Sequence, residues 1–184
     1  MQSNFARKNP LAAVEAFDRA FGDTARVQLV LRCLDVESYA DGHLKRAITE
    51  RGSIRLCTRP TITPFDLVVA ADTVLSLHRS EGFGLTLLEA MAAFMSRADS
   101  FLVDFSLIPV HNPQGVYMIA EARWAEPNID AAAGKLRRLY DQPILRNEIS
   151  ENARSRAAQL AAKSEHPSAL EAALTSRRPH FRLS

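Results

Sequence analysis

Cysteine is scarce in this chain: the 184 residues hold only Cys33 and Cys57. Neither lies in a CxxC pair or beside histidines, which argues against a disulfide framework or a cysteine-based metal site. The reading is two reduced thiols in or near strands. Long apolar runs are also missing. None approaches the ~20 residues of a membrane-spanning helix. The opening residues lack the apolar core of a signal peptide. A cytoplasmic location is expected, with peripheral membrane contact left open. Charge of one sign is lacking too. A formal net charge of +2 is too small to draw nucleic acid by bulk electrostatics, so no nucleic-acid partner is expected. Familiar catalytic strings are absent: no Ser/His/Asp order, HExxH, GxxxxGK[ST] or Asp-x-Asp metal motif occurs. There is no internal repeat and no low-complexity segment.

What remains is ordinary globular composition, 47% hydrophobic, in a length sufficient for one sizeable core. One domain is expected over 1–162, with a partly disordered tail over 163–184. Arg177-Arg178-Pro179-His180 in that tail reads as solvated rather than as a lipid or nucleic-acid contact.

The chain alternates strand and helix signals. Leu11, Val14, Phe17 and Phe21 have helical spacing over Pro10–Phe21. Asn9 is placed to cap that helix, Pro10 suits its first turn and Gly22-Asp23 ends it. Arg26–Leu34 reads as a strand and Glu37–Glu50 as a more polar helix stopped by Gly52. Ile54–Cys57 is a second strand. Pro64 opens a short helix through Ala71, and Val74–Leu77 reads as a buried strand ending at His78. Phe101–Ile108 alternates like a half-buried strand, and Val116–Ile119 reads as another. Ile129–Tyr140 is helical, and Pro143 begins a helix to about Ala162. Ala169–Leu174 has one or two helical turns. The fold class is α/β, a parallel sheet with helices on both faces and ligands beyond the carboxyl ends of the strands.

One stretch carries the chemistry: Ser80-Glu81-Gly82-Phe83-Gly84-Leu85-Thr86-Leu87-Leu88-Glu89-Ala90. Strand, glycine-containing turn and helix present backbone N–H groups and a helix N-terminus to an anion. Glu89 sits among Leu85, Leu87, Leu88, Ala90 and Met91, on a helix apolar nearly all round. A carboxylate there needs a partner. A ligand hydroxyl and a neighbouring arginine are the two candidates.

The pattern E-G-F-G-L-x-x-x-E, Glu81 to Glu89, resembles the Glu-x7-Glu motif of retaining GT-B glycosyltransferases. Further blocks follow in the family's order. Arg7-Lys8-Asn9-Pro10-Leu11 with Val14-Glu15-Ala16-Phe17 looks like the opening of its C-terminal domain. Ala70-Ala71-Asp72-Thr73-Val74 looks like the block before the motif, and Trp124-Ala125-Glu126-Pro127 like one late in the domain. The resemblance implies the C-terminal, Rossmann-like half of a GT-B fold, binding a nucleotide-sugar donor for retaining transfer to a glycan or lipid acceptor. By similarity Glu81 contacts the donor sugar near the anomeric carbon, and Glu89 accepts hydrogen bonds from the nucleotide ribose. Lys8 neutralises the departing diphosphate, with Arg7 beside it. Where the family places a further arginine, this chain has Ser3 and its neighbours. The Gly82 and Gly84 backbone, with Phe83 and Leu85, approaches phosphate and sugar, and His78 and Arg79 face the crevice. No metal and no cofactor are implied. The bland alternatives are a solvated turn at Glu81, an arginine ion pair at Glu89, a plain turn at Gly82 and Gly84, and a packed His78.

Members of the family carry a further strand and a Ser-Gly-Asn loop after the motif helix. Here Ala92-Ala93-Phe94-Met95 runs straight through Ser96–Asp99 into Phe101. A core strand is expected to be missing, which exposes its neighbours' edges. Three functions follow: a glycosyltransferase domain that needs a separate N-terminal domain, an inactive remnant or nucleotide-binding module, and an unrelated doubly wound nucleotide-binding protein.

Overall fold

The computed structural model describes residues 5–23, 26–33, 43–49, 51–80, 96–110 and 121–163. The chain is mixed α/β. It divides into two compact units, one of residues 1–60, 76–82 and 103–138, the other of 61–75, 83–102 and 139–184.

The first unit opens with a single turn, α1 (Phe5–Lys8), and then α2 (Pro10–Phe21). Pro10 stands at the start of α2, where its missing N–H costs no hydrogen bond. Gly22 ends the helix at φ 63°, ψ −150°, and donates its N–H to the Asp18 carbonyl at 2.8 Å. A side chain there would be strained. Asn9 departs from expectation. Its backbone is left-handed (φ 49°, ψ 49°), which asparagine tolerates, and its side chain makes no capping bond. The Asn9 amide instead donates to the Leu77 carbonyl at 3.2 Å.

Strand β1 (Leu29–Arg32) pairs in parallel with β2 (Ile54–Cys57), Leu29 opposite Ile54 and Arg32 opposite Cys57. Helix α3 (His43–Thr49) lies between them in sequence, the crossover a parallel pair requires. Val14 and Phe17 of α2, Leu44 and Ile48 of α3, and Ile54 form the buried cluster. Leu11, Phe21, Val27, Leu29, Leu31 and Leu56 pack against it. The rings of Phe17 and Phe21 lie 5.2 Å apart at 56°, a favourable tilted arrangement. Cys33 and Cys57 are both free.

The expected strand at Val74–Leu77 does not form. Residues 73–78 join no ladder, and His78 therefore ends no strand. Leu77 is buried, but its carbonyl is taken by the Asn9 side chain, and the next N–H, that of Arg79, goes to the Arg7 carbonyl. The segment's hydrogen bonds thus run to the α1–α2 junction, not to a neighbouring strand.

A second ladder joins β3 (Phe105–Pro109) to β4 (Arg123–Pro127), and it is antiparallel. β3 begins four residues later than its pattern suggests, and β4 has no strand-like alternation. Cross-strand partners share a face, so Ile108 meets Trp124 on one side and Leu107 meets Ala125 on the other. Trp124 is buried, while Phe105 and Leu107 are 62% and 60% exposed. α5 (Ile129–Asp141) follows, its first turn held by Asn128, whose side-chain oxygen accepts from the Ala131 N–H at 2.9 Å.

In the second unit, α4 (Pro64–Ala70) starts with a capping box. The Asp66 N–H donates to the Thr63 hydroxyl oxygen at 3.2 Å, and the Thr63 N–H to the Asp66 carboxylate at 2.8 Å. The hydrogen bonds from Thr63, its hydroxyl first, hold the Asp66 carboxyl below its usual range. α6 (Pro143–Lys163) is the longest described helix. The turn at residues 96–100 docks on it. Asn152 donates to the Ala98 carbonyl at 2.9 Å, and Arg156 lies 3.3 Å from Asp99. Asp99, its side chain 6% exposed, also accepts from the Ser96 N–H at 2.6 Å and the Ser96 hydroxyl at 3.0 Å. Burial pushes its carboxyl up, but the Ser96 bonds, Arg156 and Ser100 outweigh that and leave it lowered. The expected strand at Val116–Ile119 and helical turns at Ala169–Leu174 lie outside the described residues.

Candidate functional site

The site builds on three short segments far apart in sequence: 6–9, 77–80 and 125–126. Two arginines join them. The Arg79 backbone N–H donates to the Arg7 carbonyl at 2.9 Å, and its guanidinium to the Ala6 carbonyl at 2.7 Å. Arg7 reciprocates, its guanidinium donating to the Ser80 carbonyl at 2.9 Å. On the other side Arg79 grips Glu126 with two nitrogens, Nε to Oε2 and Nη2 to Oε1, the latter at 2.8 Å. The Ala125 N–H donates to the Arg79 carbonyl at 3.0 Å. Asn9 adds its bond to Leu77.

Geometry and burial make the Arg79–Glu126 pair stronger than an ordinary surface contact. The guanidinium fork matches the carboxylate bidentately, and the two side chains are 22% and 31% exposed. A hydrogen bond to a charged group contributes about 1.5–3 kcal/mol. Losing either partner leaves a half-buried charge uncompensated. Asn9, Leu11, Ala12 and Glu15 from the α2 end, with Arg79, Glu126 and Ile129, line a recess of about 210 Å³ with mixed polar and apolar walls.

Of the residues singled out from sequence, Arg7, Lys8, His78 and Arg79 are described. Arg7 and Lys8 end α1 at the mouth of α2, both half-buried. The first turn of α2 carries no acidic residue of its own to offset the positive end of its dipole, and Glu15 and Glu126 are the carboxylates that line the recess beside it. His78 is half-buried between Leu77 and Arg79. The structure therefore brings Arg7, Lys8 and His78 into one neighbourhood with Ser80, which precedes Glu81 in the chain. Glu81, Gly82, Phe83, Gly84, Leu85 and Glu89 lie outside the described residues. Asn9 and Glu126 were not foreseen as site residues. Asn9 has the signature of a cap, and Glu126 sits in a block noted only for its likeness.

Among the described residues no group of His, Cys, Asp and Glu is placed to hold a metal ion. No helix among them is long and apolar enough to cross a membrane. No protein-family model, curated protein or solved structure matches this chain.

Proposed function

We propose that this chain is the donor-binding, C-terminal half of a retaining GT-B glycosyltransferase that lacks one core strand, and that it holds a nucleotide-sugar in the cytoplasm. The observation that carries the reading is the hydrogen-bonded contact between the Arg7–Asn9 junction and the Leu77–Ser80 segment. Those are the two places where the family likeness puts the diphosphate cation, Lys8, and the approach to the sugar-binding turn. Their sequence separation of about seventy residues makes the meeting a property of the fold.

On this reading Lys8 and the α2 N-terminus offset charge on the departing diphosphate, so no metal is required. Glu81 contacts the sugar and Glu89 the ribose hydroxyls. Transfer to a glycan or lipid acceptor also needs the N-terminal half of a GT-B fold, so residues 1–184 by themselves turn nothing over. A second reading, an inactive remnant with a partial nucleotide pocket, is favoured by one observation. The described strands form two separate two-stranded ladders, and residues 73–78 add none.

Calorimetry with UDP and GDP tests the binding common to both readings. Wild-type chain is expected to bind one of them, and Lys8→Ala and Glu89→Ala to weaken it at least about tenfold. Turnover of a UDP-, GDP- or ADP-sugar above a Glu81→Ala control would separate an active domain from a remnant; none is expected. Equal affinity in all three proteins, or binding in none, removes the nucleotide site.

A further inference from the structure

We propose that Glu126 is a positioning residue: through Arg79 it fixes Ser80 against the Arg7–Lys8 junction. The inference rests on the nucleotide-site reading for its consequence, but not for its geometry.

The contacts define a short mechanical chain. Glu126 takes two nitrogens of the Arg79 guanidinium, which leaves Nη1 aimed at the Ala6 carbonyl. That fixes both ends of Arg79, since its own N–H and C=O are bonded to Arg7 and Ala125. Ser80 is then in reach of the Arg7 guanidinium. Residues 77–80 are in no helix or ladder, so these side-chain bonds and that of Asn9, with the two backbone bonds of Arg79, do what strand pairing does elsewhere. A fork held at two points resists rotation in a way that a single ion contact does not. Glu126 lies on β4, whose pairing with β3 gives it a fixed base. A binding segment anchored to a rigid element in this way holds its groups in place before the ligand arrives.

The test uses the full chain and two readouts. Amide exchange by NMR follows Arg79 and Ala125, with Leu29 and Cys33 of the parallel pair as controls, since their N–H groups are bonded to Ser53 and Cys57. Calorimetry with UDP and GDP follows binding. Glu126→Gln is expected to speed exchange at Arg79 and Ala125 about tenfold, to leave Leu29 and Cys33 unchanged, and to weaken nucleotide binding about tenfold. Glu126→Asp, which keeps the charge, should recover part of both effects. Unchanged exchange at Arg79 in Glu126→Gln overturns the proposal. Faster exchange with unchanged affinity also overturns it, because the contact is then structural only. Should wild-type chain bind neither nucleotide, the functional reading falls, and the exchange readout still decides whether Glu126 orders Arg79.

Discussion

The two units of this chain are held together by different forces. Every buried apolar side chain among the described residues lies in the first unit, from Ala12 and Phe17 through Leu44 and Ile54 to Trp124 and Ala133. The described residues of the second unit include none. There the observed ties are polar: the Thr63–Asp66 capping box and the Ser96–Asp99 turn with Asn152 and Arg156. A hydrogen bond contributes about 0.5–1.5 kcal/mol net, and burial of one large apolar side chain about 1.5–3 kcal/mol. The described candidate residues Arg7, Lys8 and His78 belong to the apolar-cored unit. A site built there rests on packing, while the second unit's described elements answer to solvent conditions.

The sharpest way to break this comparison is to remove core volume. Phe17 is 3% exposed at the centre of the buried cluster. Phe17→Ala is expected to cost about 3–5 kcal/mol by chemical denaturation. A cost below about 1 kcal/mol would mean that the α2 core does not carry the first unit.

Acid gives the next largest effect, and it should fall on the other unit. Asp66 and Asp99 are both held below the ordinary carboxyl range in the folded chain. Their contribution is therefore complete above the unfolded value of about 4 and is lost as pH falls through the lower folded values. NMR between about pH 5 and pH 2 should show α4 and the 96–100 turn losing order before α2 and β1 do. Asp99→Asn should flatten that dependence at the turn. Simultaneous loss in both units would erase the distinction.

The smallest effect sharpens the contrast. Ile144, on α6, is 83% exposed. Ile144→Ser is expected to change stability by no more than about 0.5 kcal/mol, at most about a sixth of the Phe17 effect. A cost above about 2 kcal/mol would place a hidden core in the second unit.

The same contrast explains what could be read from sequence. α2 and β2 have the bounds their patterns indicate, and α4, α5 and α6 come within a residue or so. Those elements carry local signals: apolar spacing, proline at the first helical position, glycine at the stop. Residues 73–78 fail because Thr73-Val74-Leu75-Ser76-Leu77 has strand composition, whereas strand formation depends on which neighbour supplies the hydrogen bonds. Here Asn9 and Arg7 take that role. β4 was missed because Arg123-Trp124-Ala125-Glu126-Pro127 buries a single large side chain, too few for a period of two to show. Arg79 and Glu126 are 47 residues apart, and no local pattern announces such a pair. Asn9 has the right chemistry for a cap but spends it on Leu77.

The central claim is that the Lys8 junction and the Ser80 segment form one nucleotide-responsive place. The direct measurement is an NMR titration of the isotope-labelled 184-residue chain with UDP, and separately with GDP, following backbone amides. The account predicts that Lys8, Asn9, Arg79 and Ser80 shift together at the same nucleotide concentration, while Leu29 and Cys33 stay still. No shift with either nucleotide, or shifts confined to the second unit's α4 and α6, would contradict it.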